Sequence, residues 1–190
     1  GKASGAVGQG CRTVEDQLES GSEVGAGGDP VGGFEENLSV AGHGVLDVEK
    51  AAEGVIASKF RAAGQTCVSA NRIIAQGAIA DQLTDAIASR MEKLKVGSGF
   101  DKGVQIGPLI HDEAVARVDK LVQDAKKRGA KIIAGGSPLV DELGGAFYAP
   151  TLIEGGNNFE LELACFEIFG PVASVYRAED EAEILRLAND

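Results

Sequence analysis

Residues 47–94 read DVEKAAEGVIASKFRAAGQTCVSANRIIAQGAIADQLTDAIASRMEKL, and this stretch decides the fold. Asp47 is a suitable N-cap, because a short carboxylate can accept from the free amides of a first helical turn. Behind it Val48, Ala51, Ala52, Val55, Ile56 and Phe60 recur at helical spacing, which gives a helix one apolar face. That helix should stop near Gly64, since glycine most easily takes the left-handed conformation just past a helix end. Cys67 then falls in the loop that follows. Arg72 to Gln76, with Ile73 and Ile74, has the length and apolar run of a short buried strand. Ile79, Leu83, Ile87, Met91 and Leu94 mark a second amphipathic helix.

Towards the C-terminus, Gly97, Gly99, Gly103, Gly107 and Pro108 punctuate a long loop. A third helix follows, with Val115, Val118, Val122 and Ala125 on one face and Gly129 after its end. Its last turn holds Lys126, Lys127 and Arg128, where cations meet the negative end of the helix dipole. Lys131–Ala134, Phe147–Ile153 and Val172–Tyr176 are expected strands, and Glu181–Ala188 is a closing helix. Helices alternating with short apolar strands define the α/β class, an open, mainly parallel sheet flanked by helices.

Towards the N-terminus the character changes near residue 45. Residues 1–45 include Gly25-Ala26-Gly27-Gly28-Asp29-Pro30 and Gly32-Gly33, with no sustained period of 2 or 3.6. This reads as an irregular glycine-rich segment, ahead of a folded portion spanning 46–190. The glycines match neither a dinucleotide-binding GxGxxG nor a P-loop.

The 190 residues carry 18 basic and 29 acidic side chains, a formal charge of −11. Such a balance disfavours a nucleic-acid or anionic-membrane partner, and neither is expected, because phosphate binding needs clustered cations. No apolar run approaches the roughly 18 residues that span a bilayer. Residues 1–10 lack the apolar core of a signal peptide. Three cysteines without a CxxC pair, and only two histidines, argue against a disulfide framework and a structural zinc site. The expectation is a reducing, cytoplasmic setting with no metal.

Chemistry that uses a thiol needs the sulfur exposed to substrate, with amide dipoles near it and near a developing oxyanion. Gly64-Gln65-Thr66-Cys67 offers such a tight loop; the alternative is that Cys67 is a small buried hydrophobe. Cys11 and Cys165 have no comparable surround. His43 and His111 read as solvent-facing or capping residues, which leaves a cysteine hydrolase without a supported base. Glu167, beside Ile168-Phe169-Gly170-Pro171, is either a ligand contact or a loop carboxylate.

Four signatures occur in order: Ser58-Lys59-Phe60-Arg61-Ala62-Ala63-Gly64-Gln65-Thr66-Cys67, Gly107-Pro108-Leu109-Ile110, Phe147-Tyr148-Ala149-Pro150-Thr151-Leu152 and Glu167-Ile168-Phe169-Gly170-Pro171. Together they resemble the aldehyde dehydrogenase superfamily over about residues 46–190, and the form around Cys67 is most similar to succinate-semialdehyde dehydrogenases. The resemblance implies that Cys67 is the nucleophile, attacking an aldehyde to give a thiohemiacetal and then a thioester. It implies that Glu167 and Phe169 hold the nicotinamide ribose and ring of NAD or NADP. Arg61 matches the arginine that binds the substrate's distal carboxylate, and Ser69 stands where some members carry a second cysteine. The family's members are homo-oligomers.

Departures from the family pattern are equally specific. The expected Glu-Leu-Gly-Gly, whose glutamate is the general base, falls at Gly33-Phe34-Glu35-Glu36 and does not match. Ser20-Gly21-Ser22-Glu23-Val24-Gly25 only echoes the family's cofactor loop. The resemblance therefore implies the cysteine-bearing part of a longer NAD(P)-dependent enzyme, with the general base unassigned. A non-catalytic remnant and a cofactor-free cysteine hydrolase are the competing readings.

Overall fold

In the computed structural model, residues 37–40 and 47–189 are described. Contacts divide the chain between Gly33 and Phe34, and every described residue lies in the second unit. Expectations for Cys11, His43 and most of the glycine-rich stretch lie outside the described residues. Within that stretch, however, Asn37–Val40 forms a strand, β1, where the sequence suggested no regular structure. Four residues are too few to show a period, and β1 is defined by pairing with a strand 35 positions downstream rather than by local pattern.

After β1 come α1 (Val48–Lys59), β2 (Arg72–Gln76), α2 (Gly77–Met91), α3 (Asp112–Lys127) and β3 (Lys131–Ala134). The one-turn helix α4 (Val140–Leu143), β4 (Thr151–Gly156), the one-turn α5 (Glu162–Cys165), β5 (Val172–Ala178) and α6 (Glu181–Ala188) complete the order. Asp47 caps α1 as expected, accepting from the Lys50 amide at 3.1 Å. His111 caps α3 through Nδ1, which accepts from the Ala114 amide at 3.0 Å. Residues 147–150 do not join β4; Tyr148 makes only an isolated bridge to Pro138. The proline at 150 cannot donate to a ladder, which explains the later start.

The five strands run in the order β1-β2-β5-β4-β3. The pairs β1·β2, β2·β5 and β4·β5 are parallel, and β3·β4 is antiparallel. The α/β expectation of an open, mainly parallel sheet is therefore met. Both faces are covered: Ile73 and Ala75 of β2 join the larger core with α1, α2 and α3, while Ile74 points into a second cluster with Ile184 and Leu187 of α6. Burial on both sides is why these strands read as continuous apolar runs rather than alternating ones.

Candidate active site

Three of the four signatures feed neighbouring parallel strands from the same end. The Cys67 loop enters β2, Glu167-Ile168-Phe169-Gly170-Pro171 enters β5, and Phe147-Tyr148-Ala149-Pro150 enters β4. Parallel pairing of β2 with β5 and of β5 with β4 places these three loops along one edge. The fourth signature is tied in by Gln65, whose side chain donates to Pro108 O at 3.3 Å and accepts from the Ile110 amide at 2.9 Å. Distant sequence segments thus converge.

Past the end of α1 the chain turns sharply through Arg61–Gly64. Ala62 and Ala63 take φ of 51° and 55°, and Gly64 takes 71°. A Cβ on Gly64 would lie 2.1 Å from Gly170 O, so the cysteine loop and the Glu167 loop touch backbone to backbone. Only glycine allows that approach. Thr66–Ser69 then forms a turn, closed by the Ser69 amide on Thr66 O at 3.0 Å, with Cys67 inside it.

Cys67 is exposed and is a free thiol, whereas Cys165 is disulfide-bonded. The Cys67 amide has no hydrogen-bond partner among the described residues, which leaves it open to an oxyanion. On either side, Thr66 Oγ1 and Ser69 Oγ are buried without a partner. Orphaned buried hydroxyls are uncommon and mark places where water or a ligand completes the bonding. His111 is committed to the α3 cap and offers Cys67 no base.

The Glu167 loop is held from two directions. Asn71, buried at the entry to β2, donates to Leu163 O and Phe166 O at 3.3 and 3.1 Å and accepts from the Ile168 amide at 2.9 Å. Arg117 of α3 donates to Glu167 O and Ile168 O. With its backbone pinned, the loop presents Glu167 and Phe169 outward: the carboxylate is exposed and Phe169 is 39% exposed. Phe169 has φ of 49°; the non-glycine residues with positive φ among those described are Ala62, Ala63 and Phe169, all in these two loops. Left-handed backbone in L-residues costs about 1–2 kcal/mol each, and strain of this kind collects at functional sites.

Arg61 is exposed on the same turn and forms no ion pair among the described residues. Lys59, by contrast, is 1% exposed at the end of α1. Burial pushes its amine down to about 8, partly opposed by the charge of Glu167. Among the described residues no group of three His, Cys, Asp or Glu side chains could hold a metal ion, and no helix is long and apolar enough to cross a membrane.

Sequence reasoning singled out Cys67, Arg61, Glu167 and Phe169, which lie on these two adjoining loops, and did not single out Asn71, Arg117 or Lys59. Lys59 had a legible signal, since it continues the buried stripe Ala52–Val55 by four residues. The bonds made by Asn71 and Arg117 span 50 to 97 positions, and no local pattern announces them.

A free thiol in a strained turn, an open amide beside it and an exposed aromatic–carboxylate pair on the adjoining loop thus lie together at one edge of an α/β scaffold. The chain belongs to the aldehyde dehydrogenase family, whose model matches residues 39–190. It is similar to an NADP(+) succinate-semialdehyde dehydrogenase of Escherichia coli, 43% identical over 145 residues, covering 76% of this chain and 29% of the relative. A mitochondrial succinate-semialdehyde dehydrogenase of Arabidopsis thaliana is 45% identical over 144 residues, 76% of this chain and 27% of the relative. Among solved structures, a succinate-semialdehyde dehydrogenase from Burkholderia pseudomallei aligns with a TM-score of 0.74 at 38% identity, covering 81% of this chain and 31% of that one. A betaine aldehyde dehydrogenase from Staphylococcus aureus, in complex with NAD+, aligns with a TM-score of 0.73 at 32% identity, covering 82% and 31%. The chain thus spans under a third of the length of these relatives.

Proposed function

We propose that this chain carries the nucleophilic part of an NAD(P)-dependent dehydrogenase for a small anionic aldehyde, succinate semialdehyde or a close analogue. The observation that carries the reading is the exposed, free thiol of Cys67 in a turn braced against the Glu167–Phe169 loop.

In this reading the Cys67 sulfur adds to the aldehyde carbon, and the oxygen gathers negative charge beside the open Cys67 amide. The nicotinamide, when bound, supplies the hydride acceptor that turns the thiohemiacetal into a thioester. A carboxylate that is exposed and makes no hydrogen bond among the described residues, with an exposed aromatic side chain, suits a ribose and a nicotinamide ring, so Glu167 and Phe169 would hold that group. Pinning their loop through Asn71 and Arg117 keeps acceptor and donor in register.

Substrate class rests on Arg61. A guanidinium gives charge-assisted, often bidentate hydrogen bonds to a carboxylate, and this one makes no ion pair among the described residues. Similar proteins include glutarate-semialdehyde dehydrogenases of two Pseudomonas species and a 3-sulfolactaldehyde dehydrogenase, each named for an aldehyde with a distal acid group. Because Cys67 acts as a thiol, we assign a reducing, cytoplasmic setting; the bond at Cys165 is the observation against it.

The test is an assay for reduced cofactor with succinate semialdehyde, NAD or NADP, and the Cys67→Ala and Arg61→Gln variants. The chain as it stands is expected to turn over little if at all; any turnover should vanish in Cys67→Ala, and Arg61→Gln should raise KM for the semialdehyde much more than for propanal. Activity that survives Cys67→Ala would remove Cys67 from the chemistry.

A further inference from the structure

The end of α1 encloses a charge that the chemistry above does not use. Of the lysines described, Lys59 alone is buried, and its ammonium makes no hydrogen bond or ion pair among the described residues. Its own carbonyl lies 3.0 Å from the position of a Gly64 Cβ, the same point that sits 2.1 Å from Gly170 O. The last turn of α1 is therefore pressed against the stretch that carries Glu167. That stretch cannot drift away, because Arg117 and Asn71 hold it at Glu167, Ile168 and Phe166.

A buried, unpaired ammonium is strongly unfavourable, and an apolar side chain on the stripe formed by Ala52 and Val55 would fold better. Glu167 is the acidic group whose charge bears on the Lys59 amine, raising it against the effect of burial. Of the cations on the neighbouring elements, Arg117 is spent on loop carbonyls and Arg61 lies at the surface.

We propose that Lys59 is a positioning residue for Glu167: a buried cation that draws the Glu167 carboxylate into place towards the ribose hydroxyls of a nicotinamide cofactor. The proposal rests on the cofactor reading given above. A ribose diol donates to a carboxylate, and the acceptor is strongest when it is fully charged and restrained. Lys59 supplies that attraction from the buried side, while the carboxylate itself stays exposed to a ligand.

Two measurements on the whole chain test it. First, the Lys59 amine is titrated by trace acetylation with acetic anhydride across pH, read by peptide mass spectrometry. A midpoint about 8 is expected; it should fall in Glu167→Gln, where the carboxylate's support is gone, and stay put in Glu160→Gln. An unchanged midpoint in Glu167→Gln overturns the coupling of the two charges, whether or not any ligand binds.

Second, binding of nicotinamide riboside, which needs only the ribose and ring contacts, is followed by saturation-transfer NMR. Lys59→Met should weaken it about tenfold, which corresponds to about 1.4 kcal/mol, and Lys59→Arg should restore much of the loss. Weakening by Glu167→Gln but not by Lys59→Met overturns the role of Lys59 and leaves the cofactor reading standing. No weakening by Glu167→Gln overturns that reading and this proposal with it.

Discussion

Between the interior of the sheet and the loops at its edge the physical rules change within six residues. Ile73, Val175 and Leu152 are wholly enclosed, and Ser174 and Thr151, polar and equally buried, each donate to a carbonyl. At Cys67 the side chain is exposed, the amide is open, two flanking hydroxyls are orphaned, and the supporting turn holds two alanines in left-handed backbone. Packing explains the first region completely. In the second it accounts for the braced turn, while the orphaned hydroxyls and the open amide are left for water or a ligand to complete. In open α/β sheets ligands usually sit beyond the carboxyl ends of the strands. The irregularities here lie at the opposite end, where β2, β4 and β5 begin.

Mutations at the two regions should separate cleanly. The largest effect is expected from Gly64→Ala, which drives a methyl into Gly170 O at 2.1 Å and adds positive-φ strain. A loss of about 4 kcal/mol or more, or failure to fold, should appear in denaturant unfolding. Ile73→Ala, in the enclosed region, should cost about 3 kcal/mol by the same measurement. Unlike any change in the loops, it should leave the alkylation rate of Cys67 per folded molecule unchanged.

Lys59→Met should be stabilising, and its pH dependence has a definite sign. The folded amine titrates near 8 against an ordinary lysine value of 10.5. Between those values the unfolded chain binds the extra proton, so the parent gains stability as pH rises through the window. The variant should therefore lead by about 3 kcal/mol below pH 8, with the gap closing towards pH 10.5 in unfolding curves. A constant gap would show that Lys59 does not titrate from a buried state. The smallest effect should come from Ala62→Gly, which relieves the left-handed strain at φ 51° and should raise stability by up to about 1 kcal/mol.

The same contrast governs what the sequence could reveal. The helices and the strands Arg72–Gln76 and Lys131–Ala134 were legible because apolar spacing is written locally. The short turns Val140–Leu143 and Glu162–Cys165 were not, since four residues carry no period. Cys67, Arg61, Glu167 and Phe169 could be named from motif resemblance alone; periodicity left Cys67 and Glu167 ambiguous. That Gly64 meets Gly170, and that Asn71 and Arg117 fasten the Glu167 loop, depends on contacts across the fold. Such contacts leave no mark on neighbouring residues.

The central claim is that Cys67 and Arg61 together accept an aldehyde bearing a distal anion. Its most direct measurement is the alkylation rate of Cys67 by iodoacetate and by iodoacetamide, resolved by peptide mass mapping and repeated in Arg61→Gln. The account predicts saturable, salt-sensitive preference for the anionic reagent in the parent chain, lost in the variant. Equal rates, or faster reaction with iodoacetamide in both proteins, would contradict it.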